Sequence, residues 1–493
     1  MNPRAVWGTE EPEIQASGEE TPTCINVLLD DELASLVEDQ LALGILRTKS
    51  DALNSVTEAL GVESMERLFP FAGEFEPRTR KEGLHRWYKV RLPKETALAP
   101  AVKSFEGLQG VSFVEEPLPI KSTSNDPYWA GDLWGLNNVL YPGYDVNCEK
   151  VWDSFTVGNP DVIVAVLDGG IQLDHPDLEW NCLASGHQSY VSGVSEIVGH
   201  GHGTHVAGTI AAVTNNRLGV SGIAGGDYTR GRRGVSLLSL QCFYDYKDSN
   251  GETRTRSGNF ETAMKDAADK GAVISQNSWG YDADADGDGK LSDSEIERMK
   301  NIFDNIGHYS IAAAMDYFTK YAGCDKEGNQ LPDSPMKGGL VVFAAGNDNI
   351  FYGPPANYPT CVAVGAMNLR GEKASFSNFG DWVDICAPGT SIASTYPTNA
   401  YAKLSGTSMA CPHVSGVAAL ITSYFGGQGF TSEDLRKRLL EGARTISASE
   451  GDTPIGPLVD AYGSFMAGDS EVPPVVDAFA LTPQGHNVKL DFT

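Results

Sequence analysis

Asp161-Val162-Ile163-Val164-Ala165-Val166-Leu167-Asp168 is an apolar, mostly β-branched run closed at both ends by aspartate. A strand without polar alternation is one buried on both faces, so the run predicts a central strand of a parallel sheet with helices on either side. It ends at Asp168, and in open α/β sheets functional groups collect at the carboxyl ends of strands. Asp168 is therefore placed as a functional acid would be, although capping or turning is the ordinary role of one aspartate after a strand.

Three further stretches extend this picture. Residues 339–345 repeat the buried-strand pattern and run into Gly346-Asn347. The asparagine amide there can donate to developing negative charge, but taken alone it reads first as a turn residue. His200-Gly201-His202-Gly203-Thr204-His205 leads into a small-residue helix. Its histidines invite a metal reading, yet no nearby Cys or further His completes a tetrahedral site, and a histidine at a helix start facing the sheet edge suits proton transfer better. Finally, Gly406-Thr407-Ser408 opens a helix expected to continue to residue 421, with Pro412 in its first turn, where a missing N–H costs little. A serine hydroxyl attacks only if the chain also supplies a base, a group to orient that base and donors for an oxyanion.

The whole chain of 493 residues can hold two or three domains, and 41% hydrophobic with 21% charged residues is ordinary globular composition. A formal charge of -28 argues against nucleic-acid or anionic-membrane partners and suits a protein that binds cations, although a merely solvated acidic surface accounts for most of those carboxylates equally well. No run reaches the roughly 18 to 20 apolar residues of a membrane span, and the first residues lack the apolar core of a signal peptide. The eight cysteines are scattered, with no CxxC pair, so the redox compartment stays open.

Residues 1–21 read as a loose acidic tail. Between 22 and 120, strand patterns at 25–29, 87–92 and 111–115 alternate with helical patterns at 31–43, 51–60 and 100–108, predicting a small α+β domain with helices on one face of an antiparallel sheet. A polar joint at 117–126 leads into the large α/β domain, 121–468, in which Thr431-Ser432-Glu433-Asp434 has capping-box spacing. Residues 469–493 read as an acidic, proline-bearing linker and the start of a C-terminal β module.

An acidic insertion near 281–335 contains a full match to the EF-hand loop pattern. Asp284, Asp286 and Asp288 stand at positions 1, 3 and 5, Lys290 supplies a carbonyl at 7, Ser292 stands at 9 and Glu295 closes the loop at 12. An exit helix at 296–306 is expected, but Trp279-Gly280-Tyr281 stands in place of an entering helix. The loop is thus EF-hand-like, with Ca²⁺ as its ligand; a solvated acidic turn is the alternative.

Asp168-Gly169-Gly170-Ile171, the His202-to-Gly208 motif, Ala344-Ala345-Gly346-Asn347 and Gly406-Thr407-Ser408-Met409-Ala410 together resemble, in residue and in order, the subtilisin-like serine proteases. The similarity covers about 125 to 465. It implies a mostly parallel, helix-flanked sheet preceded by a ferredoxin-like propeptide, and a calcium-dependent endopeptidase that works through an acyl-enzyme. His202 would be the base, Asp168 its orienting acid, Ser408 the nucleophile, and Asn347 with the Ser408 N–H the oxyanion donors. One departure is Gly169, where the family usually has Ser or Thr; only a small effect is expected from the lost hydroxyl. Extended substrate would pair with Ser278-Trp279-Gly280 on one side and a strand through Ser257, Gly258 and Phe260 on the other. Phe260 and Trp279 would flank one apolar pocket, and Ala344, Gly353 and Ala356 would line another.

The resemblance also implies a second calcium site built from Asp177 and Asn216, carbonyls of Thr214, Leu218 and Val220, and the carboxylate of Asp126. Residues 22–120 would be a propeptide that inhibits the enzyme until self-processing near 117–126. The expected product is a secreted or cell-surface monomer acting on proteins or peptides, with no nucleic-acid partner. A non-catalytic scaffold and an esterase or acyltransferase on the same triad are the rival readings.

Overall fold

The computed structural model describes residues 23–42, 44–93, 96, 98–115, 124–284, 290–467, 479–484 and 487–492. These fall in two compact units, one within 1–121 and one within 122–493.

In the first unit the strands are β1 (Cys24–Leu29), β2 (Ser64–Arg67), β3 (Trp87–Arg91) and β4 (Val111–Glu115), with helices α1 (Asp31–Ala42) and α2 (Asp51–Leu60) after β1 and α3 (Leu98–Glu106) before β4. The sheet order β2-β3-β1-β4, antiparallel throughout, is the ferredoxin-like β-α-β-β-α-β arrangement with one extra helix in the first crossover and a short one, Glu76–Lys81, between β2 and β3. Ile25, Val27 and Leu29 alternate inward from β1 and meet Tyr88, Val90 and Phe105, all fully buried. Strand β2 is not foreseen from sequence because Ser-Met-Glu-Arg is short and polar, with only Met65 reaching the core. Helix α3 begins two residues before the expected 100, which places Pro100 in its first turn.

The second unit is built on a seven-stranded parallel sheet. Its strands are β5 (Ile163–Asp168), β6 (Gln188–Ser189), β7 (Ser236–Gln241), then, after a hairpin of β8 (Phe243–Lys247) and β9 (Thr253–Ser257), β10 (Ile274–Asn277), β11 (Leu340–Ala344), β12 (Cys361–Met367) and β13 (Ile385–Pro388). The order is β13-β12-β11-β10-β5-β7-β6, so chain direction across the sheet reverses at β5. Such a switch point is where α/β sheets open a cleft beyond their carboxyl ends.

The double-faced burial expected of β5 is present. Val164 and Val166 point into one core with α4 (Gly201–Ala211) and α8 (Thr407–Phe425). Ala165 and Leu167 point into the other with α5 (Phe260–Asp269) and α7 (Ser310–Tyr321). Helix α8 is buried from Met409 to Thr422, which its run of small and apolar side chains allows. Pro412 is not in its first turn but one turn further on. Its absent N–H leaves the Ser408 carbonyl without an intrahelical donor, and the Ser278 hydroxyl donates to that carbonyl instead, at 2.8 Å.

The insertion carries α6 (Asp293–Asn305). Thr431 caps α9 (Ser432–Glu441) with the expected box to Asp434. Backbone segments Phe479–Gln484 and Asn487–Phe492 pair as an antiparallel hairpin. All eight cysteines are free thiols. Among the described residues no helix is long and apolar enough to cross a membrane.

Candidate active site

Asp168 closes β5, Ser278 follows β10 and Asn347 follows β11, and these three strands are neighbours. The sheet thus delivers an acid, a backbone carbonyl and an amide to one edge, with α4 and α8 bringing His202 and Ser408.

Asp168 is 1% exposed, and each of its oxygens lies 2.9 Å from Nδ1 of His202. A carboxylate can only accept, so Nδ1 carries the proton and Nε2 is left as a free base. Burial alone would lower the His202 pKa, but the charge and hydrogen bond of Asp168 outweigh it and hold the pKa above the ordinary value.

Asn347 is exposed, and its orientation is set by Thr407. Both the N–H and the hydroxyl of Thr407 donate to Asn347 Oδ1, at 2.8 and 2.9 Å, while Thr407 Oγ1 accepts from Gly346 N–H at 3.1 Å. With its oxygen so held, the asparagine turns Nδ2 outward as a donor. Gly346, at φ +104°, makes the turn possible; a Cβ there would stand 2.3 Å from Asn378 Nδ2. The Ser408 N–H lies in the first turn of α8, where no intrahelical acceptor exists, so it is a second donor at the same edge.

Ser408 and His202 are not hydrogen-bonded to each other. The Ser408 hydroxyl donates instead to the Ser278 carbonyl at 3.2 Å, a bond it must leave for His202 Nε2 before it can give up its proton. Ser278 therefore grips Ser408 twice, through its carbonyl and its hydroxyl. Neither that grip nor the Thr407 lock was foreseen; the proline four residues after the serine is the signal that could have pointed to the first.

The three histidines turn to three different partners: His200 Nε2 to Asp245 at 3.0 Å, His202 to Asp168, and buried His205 to the Ile392 and Ala402 carbonyls at 2.8 and 3.1 Å. Burial lowers the His205 pKa to about 3, so it stays neutral.

Several substrate-binding expectations need correction. Ser257 ends β9, but Asn259 caps α5 and Phe260 opens that helix, so the expected strand stops at Ser257 and Gly258. Ser278, Trp279 and Gly280 lie just past the end of β10. Phe260 and Trp279 do not face each other across a gap: their ring centroids are 4.1 Å apart, and Trp279 also meets Phe343 edge-on at 4.8 Å. The two half-buried rings pack at a tilt of 46° and so form one aromatic wall. Ala344, Gly353 and Ala356 are buried, and their small size is matched by packing: a Cβ on Gly353 would meet the Ala345 carbonyl at 2.2 Å.

Among the calcium candidates, Asp286 and Asp288 lie outside the described residues. Ser292 and Glu295 form a capping box for α6, with Glu295 Oε2 accepting from the Ser292 N–H and hydroxyl at 3.0 and 2.8 Å. The exit helix thus starts at Asp293, earlier than expected, and Glu295 is engaged at its cap. At the second site, buried Asp177 accepts from Asn216 Nδ2 at 2.7 Å and from Val220 N–H at 3.0 Å. Burial pushes its pKa up to about 7 against those bonds. Asn216 Oδ1 takes the Leu218 N–H, and the Thr214 carbonyl the Tyr228 N–H. Asp126 is corrected: its two oxygens accept from the N–H groups of Asn215, Asn216 and Arg217 and the hydroxyls of Ser124 and Ser221, which leaves it a loop anchor.

Acid, imidazole, serine and amide at the edge of such a sheet define a serine hydrolase of the subtilisin type. The Subtilase family profile matches residues 159–463, and the chain belongs to that family. It is 32% identical over 329 residues to thermitase of Thermoactinomyces vulgaris, covering 66% of this chain and 94% of that protein. It is 31% identical to a thermophilic serine proteinase of Bacillus sp. (strain AK1), covering 67% and 71% of the two chains. A solved protease from Pseudoalteromonas arctica PAMC 21717 aligns with 70% of this chain and 98% of its own at 25% identity and TM-score 0.49. The protein is a subtilisin-like serine endopeptidase.

Proposed function

We propose that Ser408, His202, Asp168 and Asn347 carry peptide-bond hydrolysis in this chain, through an acyl-enzyme. The observation that carries the assignment is the Asp168–His202 pair, whose two 2.9 Å contacts leave Nε2 proton-free at the sheet edge where Ser408 stands. His202 Nε2 takes the Ser408 proton as Oγ attacks the scissile carbonyl, and Asp168 stabilises the imidazolium that forms. Asn347 Nδ2 and the Ser408 N–H hold the oxyanion. The imidazolium then protonates the leaving amine, and a water deprotonated by the same nitrogen releases the acyl group. Backbone at Ser278 to Gly280 and at Ser257–Gly258 would hold the peptide extended, with the Phe260–Trp279 wall against an apolar side chain.

The first unit has the strand order, size and position of a subtilase propeptide, which supports a self-processed zymogen; its place outside the cell and its monomeric state are part of the same proposal and rest on the family alone. Incubating the full chain and sequencing any new N terminus, then assaying an extended peptide and a matched ester, tests both readings. Cleavage near 117–126 followed by hydrolysis of both substrates is expected. Ester turnover without peptide turnover would favour the esterase, and peptide hydrolysis by a chain that stays intact would end the zymogen reading.

Calcium is the ion we assign to two places. Asp177 is a fully buried carboxylate held by the neutral donors Asn216, Val220 and Tyr401, and turning the Asn216 amide over would present a second oxygen beside it. The 284–295 loop has the right donor chemistry, provided Glu295 leaves its cap. The ion would supply counter-charge and hold loops, with no part in the chemical steps. Chelation should therefore lower Tm, by about 2.7 kcal/mol of lost stabilisation for an ion otherwise present at 100 times its Kd. Asp177→Asn should blunt that response, whereas an unchanged Tm in excess chelator would count against both sites.

A further inference from the structure

We propose that His200 is a positioning residue for the catalytic base, and that Asp245 fastens the β8–β9 hairpin to the active site through it. The inference rests on His202 being that base.

Helix α4 begins at Gly201, so the N–H groups of its first turn need an outside acceptor. Short side chains usually serve. Here the acceptor is an imidazole: His200 Nδ1 takes the His202 N–H at 3.1 Å. A peptide N–H can only donate, so Nδ1 is proton-free and the ring proton sits on Nε2. Nε2 then donates to Asp245 Oδ2 at 3.0 Å, and Asp245 Oδ1 accepts from the Thr255 hydroxyl at 2.6 Å. Asp245 and Thr255 are paired across β8 and β9, so the relay is anchored in a hairpin. His202 is consequently held at two points: its ring by Asp168 and its backbone by His200.

The packing fits one arrangement of this relay. Phe243, at the start of β8, meets the His200 ring edge-on at 5.3 Å between centroids and lies 6.1 Å from the His202 ring. Gly169, next to the catalytic acid, stands against both rings. A Cβ at 169 would fall 2.5 Å from both Cγ and Nδ1 of His200 and 2.7 Å from Phe243 Cε2. Real Cβ atoms do not approach so closely, so a side chain at 169 and an imidazole cap at 200 exclude each other. Gly169 is therefore the space His200 occupies, which replaces the sequence expectation of a missing hydroxyl with small effect.

The test compares kcat and KM of full-length variants on an extended peptide, with melting curves alongside. His200→Ala should lower kcat roughly ten- to a hundredfold with KM changed by less than about twofold, because the base is displaced while the peptide strands are untouched. His200→Asn, whose short amide can accept the same N–H, should recover most of that loss. Gly169→Ala should impair kcat in the wild-type background and cost less in His200→Ala, which removes both imidazole atoms its Cβ would strike and leaves only Phe243 Cε2. Wild-type kcat in His200→Ala, or losses from Gly169→Ala and His200→Ala that simply multiply, would overturn the proposal. If His200→Ala does not fold, the same pairing with His200→Gly, a residue tolerated at N-caps, decides in its place. A His202→Ala control that kept its activity would overturn the base assignment and this proposal with it; an inactive control beside an unaffected His200→Ala enzyme would overturn this proposal alone.

Discussion

Ser408→Ala is expected to reduce kcat on the order of 10⁶-fold, a scale taken from the equivalent loss in subtilisin, a relative. The structure gives reasons for so large an effect. On the proposed mechanism Ser408, in the first turn of α8, brings the attacking oxygen and an oxyanion-donating N–H to one place. Removing Oγ takes away the attacking atom while the Ser278 hydroxyl bond to the Ser408 carbonyl stays, so the fold and substrate affinity should survive. Thermal unfolding and KM on a peptide substrate check this, and full peptidase activity in the variant would contradict the assignment. The residual rate should exceed that in water, because Asn347 and the binding strands remain.

Asp168→Asn should lower kcat on the order of 10⁴-fold, again by analogy with subtilisin, and shift the acid limb of the pH profile. In the wild type the carboxylate holds the His202 pKa above its ordinary value, and only the neutral imidazole works as base. Activity therefore falls as pH drops through that raised pKa. Without the carboxylate, burial is the dominant influence and the pKa moves below the ordinary value, so the limb shifts to lower pH while the plateau collapses. An amide can also donate to Nδ1, which places the ring proton on Nε2 and blocks its role as base. A pH profile of kcat/KM for both proteins checks the sign: a limb that moved to higher pH would contradict the assigned cause.

The catalytic framework was legible in the sequence because it depends on patterns that leave local marks. The Val162–Leu167 run needed apolar residues on both faces, and each functional residue sits at the end of a buried strand or the start of a helix. What escaped depends on contacts between distant segments. Asp245 lies 45 residues beyond His200 in a half-buried strand of the β8–β9 hairpin, and nothing local marks it as a partner. Asp126 is a metal ligand by resemblance alone, and the five donors that satisfy it come from Ser124, the 215–217 loop and Ser221, which no local pattern joins to it. Glu295 carried two meanings at once, since the S-x-x-E spacing of a capping box is contained in the closing turn of the calcium loop. Phe260 and Trp279 lie 19 residues apart in sequence, and only ring geometry decides between a pocket and a wall.

The central claim is that Ser408 is a nucleophile activated by His202. An organofluorophosphonate, which phosphonylates an activated serine oxygen with loss of fluoride, tests it directly when the labelled protein is digested and mapped by mass spectrometry. A single adduct on Ser408, absent from His202→Ala, is the predicted result; an adduct on another residue, or none on Ser408 in a preparation that hydrolyses peptides, would contradict it.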